Sequence, residues 1–177
     1  GTARITALCG AKSAYVDVNV IDSNTAAAPT ITSPAGDTTY YVEHSSKTPP
    51  VLSVTAVGSG SLSYQWYSKT SSATVYSAVS GSSGKSASHT PDVSSVGTTT
   101  YYCTVTNTSG TATAAANSSV FTVNVKDPYE VTVTGSASVN KGAYTTLTAK
   151  VMQNTITNYT LSQTAVASGT LNWSVST

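Results

Sequence analysis

Residues 92–106 read DVSSVGTTTYYCTVT. A polar loop, Asp92 to Gly97, runs into an unbroken series of Thr, Tyr and Val, the branched and aromatic residues that fit a pleated, half-buried surface. This predicts a strong strand over Thr99–Thr106. Tyr101 stands two residues before Cys103 within it. Upstream, residues 62–69 read LSYQWYSK and predict a second strand with Trp66 at its centre, 37 positions before Cys103.

Outward from these two, short strands recur between Gly, Pro and Ser breaks. Thr39–Val42 is one. Val51–Val57 is announced by Pro49-Pro50 and closed by Gly58-Ser59-Gly60. Thr74–Val79 and Ser86–Thr90 are short, and Ser80–Ser86 reads as a flexible loop. Thr111–Ala116 with Val120–Val125 is expected to form the last edge. At the N-terminal side, Ala3, Ile5, Ala7 and then Ala14, Val16, Val18, Val20 alternate around Cys9-Gly10-Ala11-Lys12, which predicts a β-hairpin. Residues 23–29 read as a linker. After Lys126-Asp127-Pro128 come strands at Glu130–Thr134 and Tyr144–Met152, a polar region from Gln153 to Ser168, and a last strand at Leu171–Val175.

Charged residues make up only 8% of the 177-residue chain, and the formal net charge is +1. An average soluble domain has about 25%. The chain therefore has no basic field for nucleic acid and no acidic sink for cations. Runs of strong helix formers are missing, so little helix is expected. No apolar run is long enough to span a membrane. Solubility rests on Ser and Thr hydroxyls, a surface read as extracellular or cell-surface. The chain opens at Gly1 with neither Met nor signal peptide, which reads as a processed product or a window from a longer protein.

The middle of the chain, about residues 30–126, resembles an immunoglobulin-like domain. Tyr64-Gln65-Trp66-Tyr67 looks like strand C with its core Trp. Asp92–Gly97 followed by Thr100-Tyr101-Tyr102-Cys103 looks like the loop into strand F, with Tyr101 where the family places its tyrosine corner. The family's first cysteine belongs on strand B, within Val51–Val57, and this chain has none. The resemblance puts Val54 in that place and leaves Cys103 without an intradomain partner. It implies a core of Trp66, Val54, Leu52, Tyr101 and the Cys103 thiol, without a crosslink worth about 2–4 kcal/mol.

The flanks resemble the bacterial Ig-like repeat of intimin- and invasin-type surface proteins, the Big2 type. Gly1–Ala7, Gly10–Ala14 and Val16-Asp17-Val18 look like the C-terminal end of such a repeat. Glu130–Thr134, Asn140-Lys141-Gly142, Thr146–Ala149 and Asn172-Trp173-Ser174 look like its N-terminal part. The implied order is residues 1–22, the end of one repeat; 23–29, a linker; 30–126, a complete Ig-like sandwich; and 127–177, the start of another repeat. A lone hairpin is marginal in water, so something must complete the two partial units. Three arrangements stay open: a tandem array, a permuted domain closed within one chain, or head-to-tail completion between chains by strand complementation.

Side chains that carry chemistry are few. Cys9 and Cys103 show no zinc-ligand spacing. Cys9, in a turn, is the candidate for an exposed thiol or interchain contact. His44 and His89 read as solvated surface residues. The acids are scattered singly, without a glycosidase pair. Asp22 and Asp127 fall in linkers, but no Asp-x-Asp cluster supports a calcium site. Gly84-Lys85-Ser86 is a chance match to a phosphate loop. Lys141 and Lys150 read as exposed rather than crosslinked. Sequons start at Asn107, Asn117, Asn158 and Asn172, as expected in a chain so rich in Asn, Ser and Thr. Tyr40, Tyr41, Tyr64, Tyr67, Tyr76 and Tyr102 are candidates for an exposed aromatic face or for lining the sheets.

The chain is therefore expected to be all-β, with immunoglobulin-like sandwiches in tandem and the terminal segments forming a split or shared second sandwich. Leu52, Val54, Trp66, Tyr101 and Cys103 are expected in the core. Ile5, Val16, Val18, Leu147 and Trp173 are the candidate assembly contacts. The expected role is a non-enzymatic structural or adhesive module of an extracellular filament, without cofactor or metal. Its partners would be copies of itself or adjacent Ig-like repeats. The rivals are a carbohydrate- or receptor-binding adhesin domain, with a host glycan or protein as partner, and a noncatalytic accessory domain of a secreted hydrolase or phage virion.

Overall fold

The computed structural model of the chain describes residues 2–19, 25–135, 138, 140–142 and 144–166. Among them the regular structure is β-strand, apart from one short 3-10 turn. The strands form three bodies. The first is a hairpin of β1 (Thr2–Cys9) and β2 (Lys12–Asn19), joined by a tight turn in which Gly10 takes φ 58°.

The second body is a two-layer sandwich. Its strands are β3 (Thr30–Ser33), β4 (Thr38–Glu43), β5 (Leu52–Ser53), β6 (Thr55–Val57), β7 (Ser61–Thr70), β8 (Ser77–Ala78), β9 (Ser88–His89), β10 (Gly97–Ser109), β11 (Ala112–Asn117) and β12 (Phe121–Lys126). One layer has the order β4-β12-β10-β7-β8, with β11 on the far half of β10. The other is built from the pairs β3–β6 and β5–β9. This is an immunoglobulin-like arrangement, with β7 and β10 as the central antiparallel pair. In their register Trp66 lies directly opposite Cys103.

β12 is not an edge. β4 pairs with its outer side in parallel, Thr38 to Phe121 through Glu43 to Lys126. The chain can do this because β11 and β12 are one strand interrupted at Ser118. The Ser118 amide donates to the Cys103 carbonyl at 2.9 Å, and the Cys103 amide donates to Ser118 Oγ at 3.0 Å. The shift lets β11 serve the far half of β10 and β12 the near half.

The stretch Ser80–Ser86 is pinned rather than loose. Ser82–Lys85 forms the 3-10 turn, and Gly84 is buried in it. A Cβ on Gly84 would sit 2.1 Å from the Val79 carbonyl oxygen, so only glycine allows this approach. Trp66 Nε1 donates to the Ser86 carbonyl at 2.8 Å, which ties the turn to the core.

The third body is a sheet of β13 (Tyr129–Thr134), β14 (Thr148–Thr157) and β15 (Thr160–Ala165). Much of the polar region Gln153–Ser168 is therefore strand. Its polar side chains suit an exposed sheet, and Gln163 Nε2 donates to Asn154 Oδ1 at 2.9 Å across the pair. β14 begins at Thr148, and Tyr144 stands fully exposed before it. The expected strand Leu171–Val175, with Trp173, lies outside the described residues, as does Asp22.

Candidate functional site

The core lies between the sandwich layers. Trp66, Leu52, Cys103 and Val105 have no exposed surface, and Val54, Tyr101, Phe121, Val123 and Val125 join them. Trp66 packs on Phe121 with ring centroids 5.5 Å apart. Phe121 escaped the sequence reading because it follows the Ser118 interruption and its alternation with Val123 and Val125 starts only there.

His89 is buried, not solvated. Its ring lies 5.8 Å from Trp66 and 5.4 Å from Tyr101, and its Nδ1 has no hydrogen-bond partner. Desolvation pushes its pKa below the ordinary histidine range, against the smaller opposing effect of a hydrogen bond that the ring donates to the Ser83 backbone. Its folded pKa is thus depressed, so its contribution is complete above about pH 6.5, the unfolded value. That contribution is lost as the pH falls toward the folded value, because only the unfolded chain takes up the proton. The urea midpoint is expected to fall between pH 7.5 and pH 5. Each tenfold weakening of proton affinity corresponds to about 1.4 kcal/mol. A His89→Leu variant should lose that component of the pH dependence, and an unchanged slope would show that His89 does not carry it.

The two cysteines are in opposite environments. Cys103 is buried, and desolvation pushes its thiol up to about 11. Cys9 is exposed at the end of β1. A neutral-pH thiol titration is expected to count one reactive group in the native chain and two in denaturant. Rapid native labelling of both would contradict this packing.

His44 sits where β4 leaves the sandwich. Its Nδ1 is 3.1 Å from Asp127 Oδ1 and its Nε2 is 2.8 Å from the Ser94 carbonyl oxygen. Asp127, one of the two linker acids, is thus engaged by histidine. Next to it, Asn154 Nδ2 donates to the Asp127 carbonyl at 2.7 Å, and the Asn154 amide donates to the Pro128 carbonyl at 2.7 Å. The tip of β14–β15 latches onto the outer edge of β4. The Tyr41 amide donates to the Tyr159 carbonyl at 2.8 Å, and the Tyr159 ring meets Tyr40 edge-on at 5.5 Å. Asn158 and Tyr159 both take left-handed backbone, φ 48° and 60°. They are the two loop residues of the β14–β15 hairpin, between the paired Thr157 and Thr160, where a two-residue turn calls for positive φ at both positions. A shallow groove of about 340 Å³ runs along this joint beside Glu43, Thr48 and Ile156.

The six tyrosines do not share one face. Tyr40 and Tyr64 pack against the core, and Tyr41 lies in the joint groove. Tyr67, Tyr102 and Tyr76 cluster on the outer face of the larger layer. Tyr67 and Tyr102 stack at 5.1 Å, Tyr76 meets Tyr102 edge-on at 4.8 Å, and Lys69 lies 5.1 Å over Tyr76. Their rings are used largely on one another.

Asn107 is a structural residue that sequence reasoning missed, because an Asn in a strand reads as outward. It is fully buried. Its Oδ1 accepts the Gly60 amide at 2.8 Å, and its Nδ2 donates to the Ala27 carbonyl at 2.9 Å and to Ser59 Oγ at 3.2 Å. The sequon at Asn107 therefore has its nitrogen inside the fold. The last part of the linker is docked here rather than loose, and Pro29 is buried.

The candidate assembly residues among the described ones, Ile5, Val16, Val18 and Leu147, lie on the two terminal segments. Ile5, Val16 and Val18 are 61%, 58% and 41% exposed. Leu147 is half-exposed beside Gly135. The register puts Ile5 opposite Val16 and Ala3 opposite Val18 on one face of the hairpin. The reverse face carries a bidentate ion pair, Arg4 to Asp17 at 2.6 and 2.8 Å, with the Arg4 guanidinium 3.9 Å over Tyr15. Tyr129, Val131 and Val133 are likewise more than half exposed on one face of the C-terminal sheet. Every described side chain of the hairpin is exposed, so this hairpin does not cover that sheet within the chain.

No protein-family model and no curated protein matches the chain. Among solved structures it is similar to the crystal structure of Dscam1 isoform 4.44, N-terminal four Ig domains, with 17% sequence identity and a TM-score of 0.42. The likeness covers 73% of this chain and 34% of that one, about a third of its length. The immunoglobulin-like character of the sandwich rests on its own strand order, the Trp66–Cys103 pairing and the closed core.

Proposed function

We propose that the chain is a non-catalytic structural and adhesive module of an extracellular surface fibre. In this reading the central sandwich is a rigid spacer, and the two terminal bodies are partial Big2-type repeats that are completed head-to-tail. The observation that carries it is the pairing of a closed core with two terminal sheets that each leave large apolar side chains exposed on one face, Ile5, Val16 and Val18 on the hairpin and Tyr129, Val131 and Val133 on the C-terminal sheet. A sheet with one apolar face needs a second layer. The two histidines and Cys103 are committed to structure: His44 bridges the joint, and His89 and Cys103 are in the core.

Electron microscopy of the purified chain, with its mass in solution, tests this. Filaments of regular subunit spacing are expected. Discrete monomers at every concentration would sink the filament reading. A second reading, a glycan- or receptor-binding adhesin domain, is favoured by the Tyr67–Tyr102–Tyr76 cluster beside Lys69. A glycan and protein binding screen in which Tyr102→Ala abolishes a hit would bring it forward.

A further inference from the structure

We infer that the occupant of the apolar face of β13–β14 is the β1–β2 hairpin of a second copy of this chain, packed face to face. This rests on the head-to-tail reading above and commits it to one pair of surfaces.

The two surfaces match in size and polarity. The hairpin presents mostly small side chains, Ala3, Ala7 and Ala14, around Ile5, Val16 and Val18. The sheet presents Tyr129, Val131, Val133 and Val151 around the small Ala149, with Gln153 opposite Tyr129 at its margin. Small against large is how two layers interdigitate at a spacing of about 10 Å. The lengths match as well: β1 and β2 have eight residues each, about 26 Å, and β13 pairs with β14 over six, about 20 Å. The one charge on the hairpin's apolar face, Lys12, sits at its turn, where it clears the shorter sheet. The remaining charges lie on the reverse faces, Arg4 with Asp17 on the hairpin and Glu130 with Lys150 on the sheet.

Placement makes the contact intermolecular. The segment from the hairpin docks at Asn107, at one pole of the sandwich, through Ala27. The C-terminal sheet leaves from Asp127 at the other pole, beside Gly97, the residue that opens β10 and pairs with Val125. Asn107 and Gly97 are ten residues apart on β10, about 33 Å. Donor and acceptor surfaces at opposite ends of a rigid body make a heterologous contact, which repeats from copy to copy.

The test uses two full-length variants with an acid on one surface each, Val16→Asp and Val131→Asp. Both positions are more than half exposed, 58% and 57%, so the sandwich should fold as before, which the urea midpoint by far-ultraviolet circular dichroism checks. Each keeps one working surface. Either variant alone is expected to be monomeric, its association weakened at least about a hundredfold by the unpaired carboxylate. An equimolar mixture should stop at the mass of a dimer. Thr6→Asp and Thr132→Asp, on the reverse faces, should assemble like the wild type. If the wild type assembles and the two variants do too, or their mixture stays monomeric, this face pairing is wrong while the fibre reading stands. A wild type that is monomeric throughout overturns both, and assigns the cover to a neighbouring repeat or another partner.

Discussion

Replacing Trp66 by alanine is expected to destabilise the sandwich by about 3–5 kcal/mol, the range for removing a fully buried aromatic. The indole has no exposed surface, packs on Phe121, and lies opposite Cys103. No disulfide holds the layers together if the ring is lost, because Cys103 is a free thiol. The ring also anchors the Ser82–Lys85 turn through the Nε1 bond to Ser86. Trp66→Phe should cost less, since it keeps most of the apolar volume and loses that one hydrogen bond. Urea unfolding followed by far-ultraviolet circular dichroism measures both. A Trp66→Ala midpoint within error of the wild type would show that the core is not organised around this residue.

Asn107→Ala is the second large effect, expected at about 3 kcal/mol. Three groups lose a partner at once: the Gly60 amide, the Ala27 carbonyl and the Ser59 hydroxyl. Each buried group left unsatisfied costs about 1–3 kcal/mol, and the total is held down because the Gly58–Gly60 turn can admit water. The loss should also be local. Amide exchange is expected to accelerate at Gly60 and around Ile31 more than in β7 and β10. A uniform increase across the sandwich, tracking global stability, would show that Asn107 does not specifically pin the entering segment.

The all-β class is legible in the sequence because branched and aromatic residues crowd Thr99–Thr106 and Tyr and Trp fill the centre of Leu62–Lys69. His89 is not legible, because its neighbours Ser88 and Thr90 are polar and hide an inward position on a strand of two residues. β15 is hidden for a related reason: Thr160–Ala165 carries one large apolar residue, Leu161, and its Gln163 bonds across the strand pair to Asn154. The parallel partner of β12 is also invisible, since local pattern shows that a strand exists but not which distant strand it meets. Alternation in Ala3–Ala7 and Ala14–Val18 identifies an apolar face, while what covers it depends on a second body, which one segment's periodicity does not encode. Asn107 shows the limit most plainly, because its role depends on a turn 47 residues away.

The parallel pairing of β4 with β12 bears on how the module would carry tension. β4 follows the segment that enters at the Asn107 pole, and β12 runs out toward Asp127 at the other. Pulling on the two ends drags these strands past one another along their length. All the rungs from Thr38–Phe121 to Glu43–Lys126 are then loaded together. An antiparallel pair pulled from its open end would instead peel one rung at a time. The geometry thus sets the sandwich in shear, and stretching of single molecules should show it giving way abruptly rather than gradually.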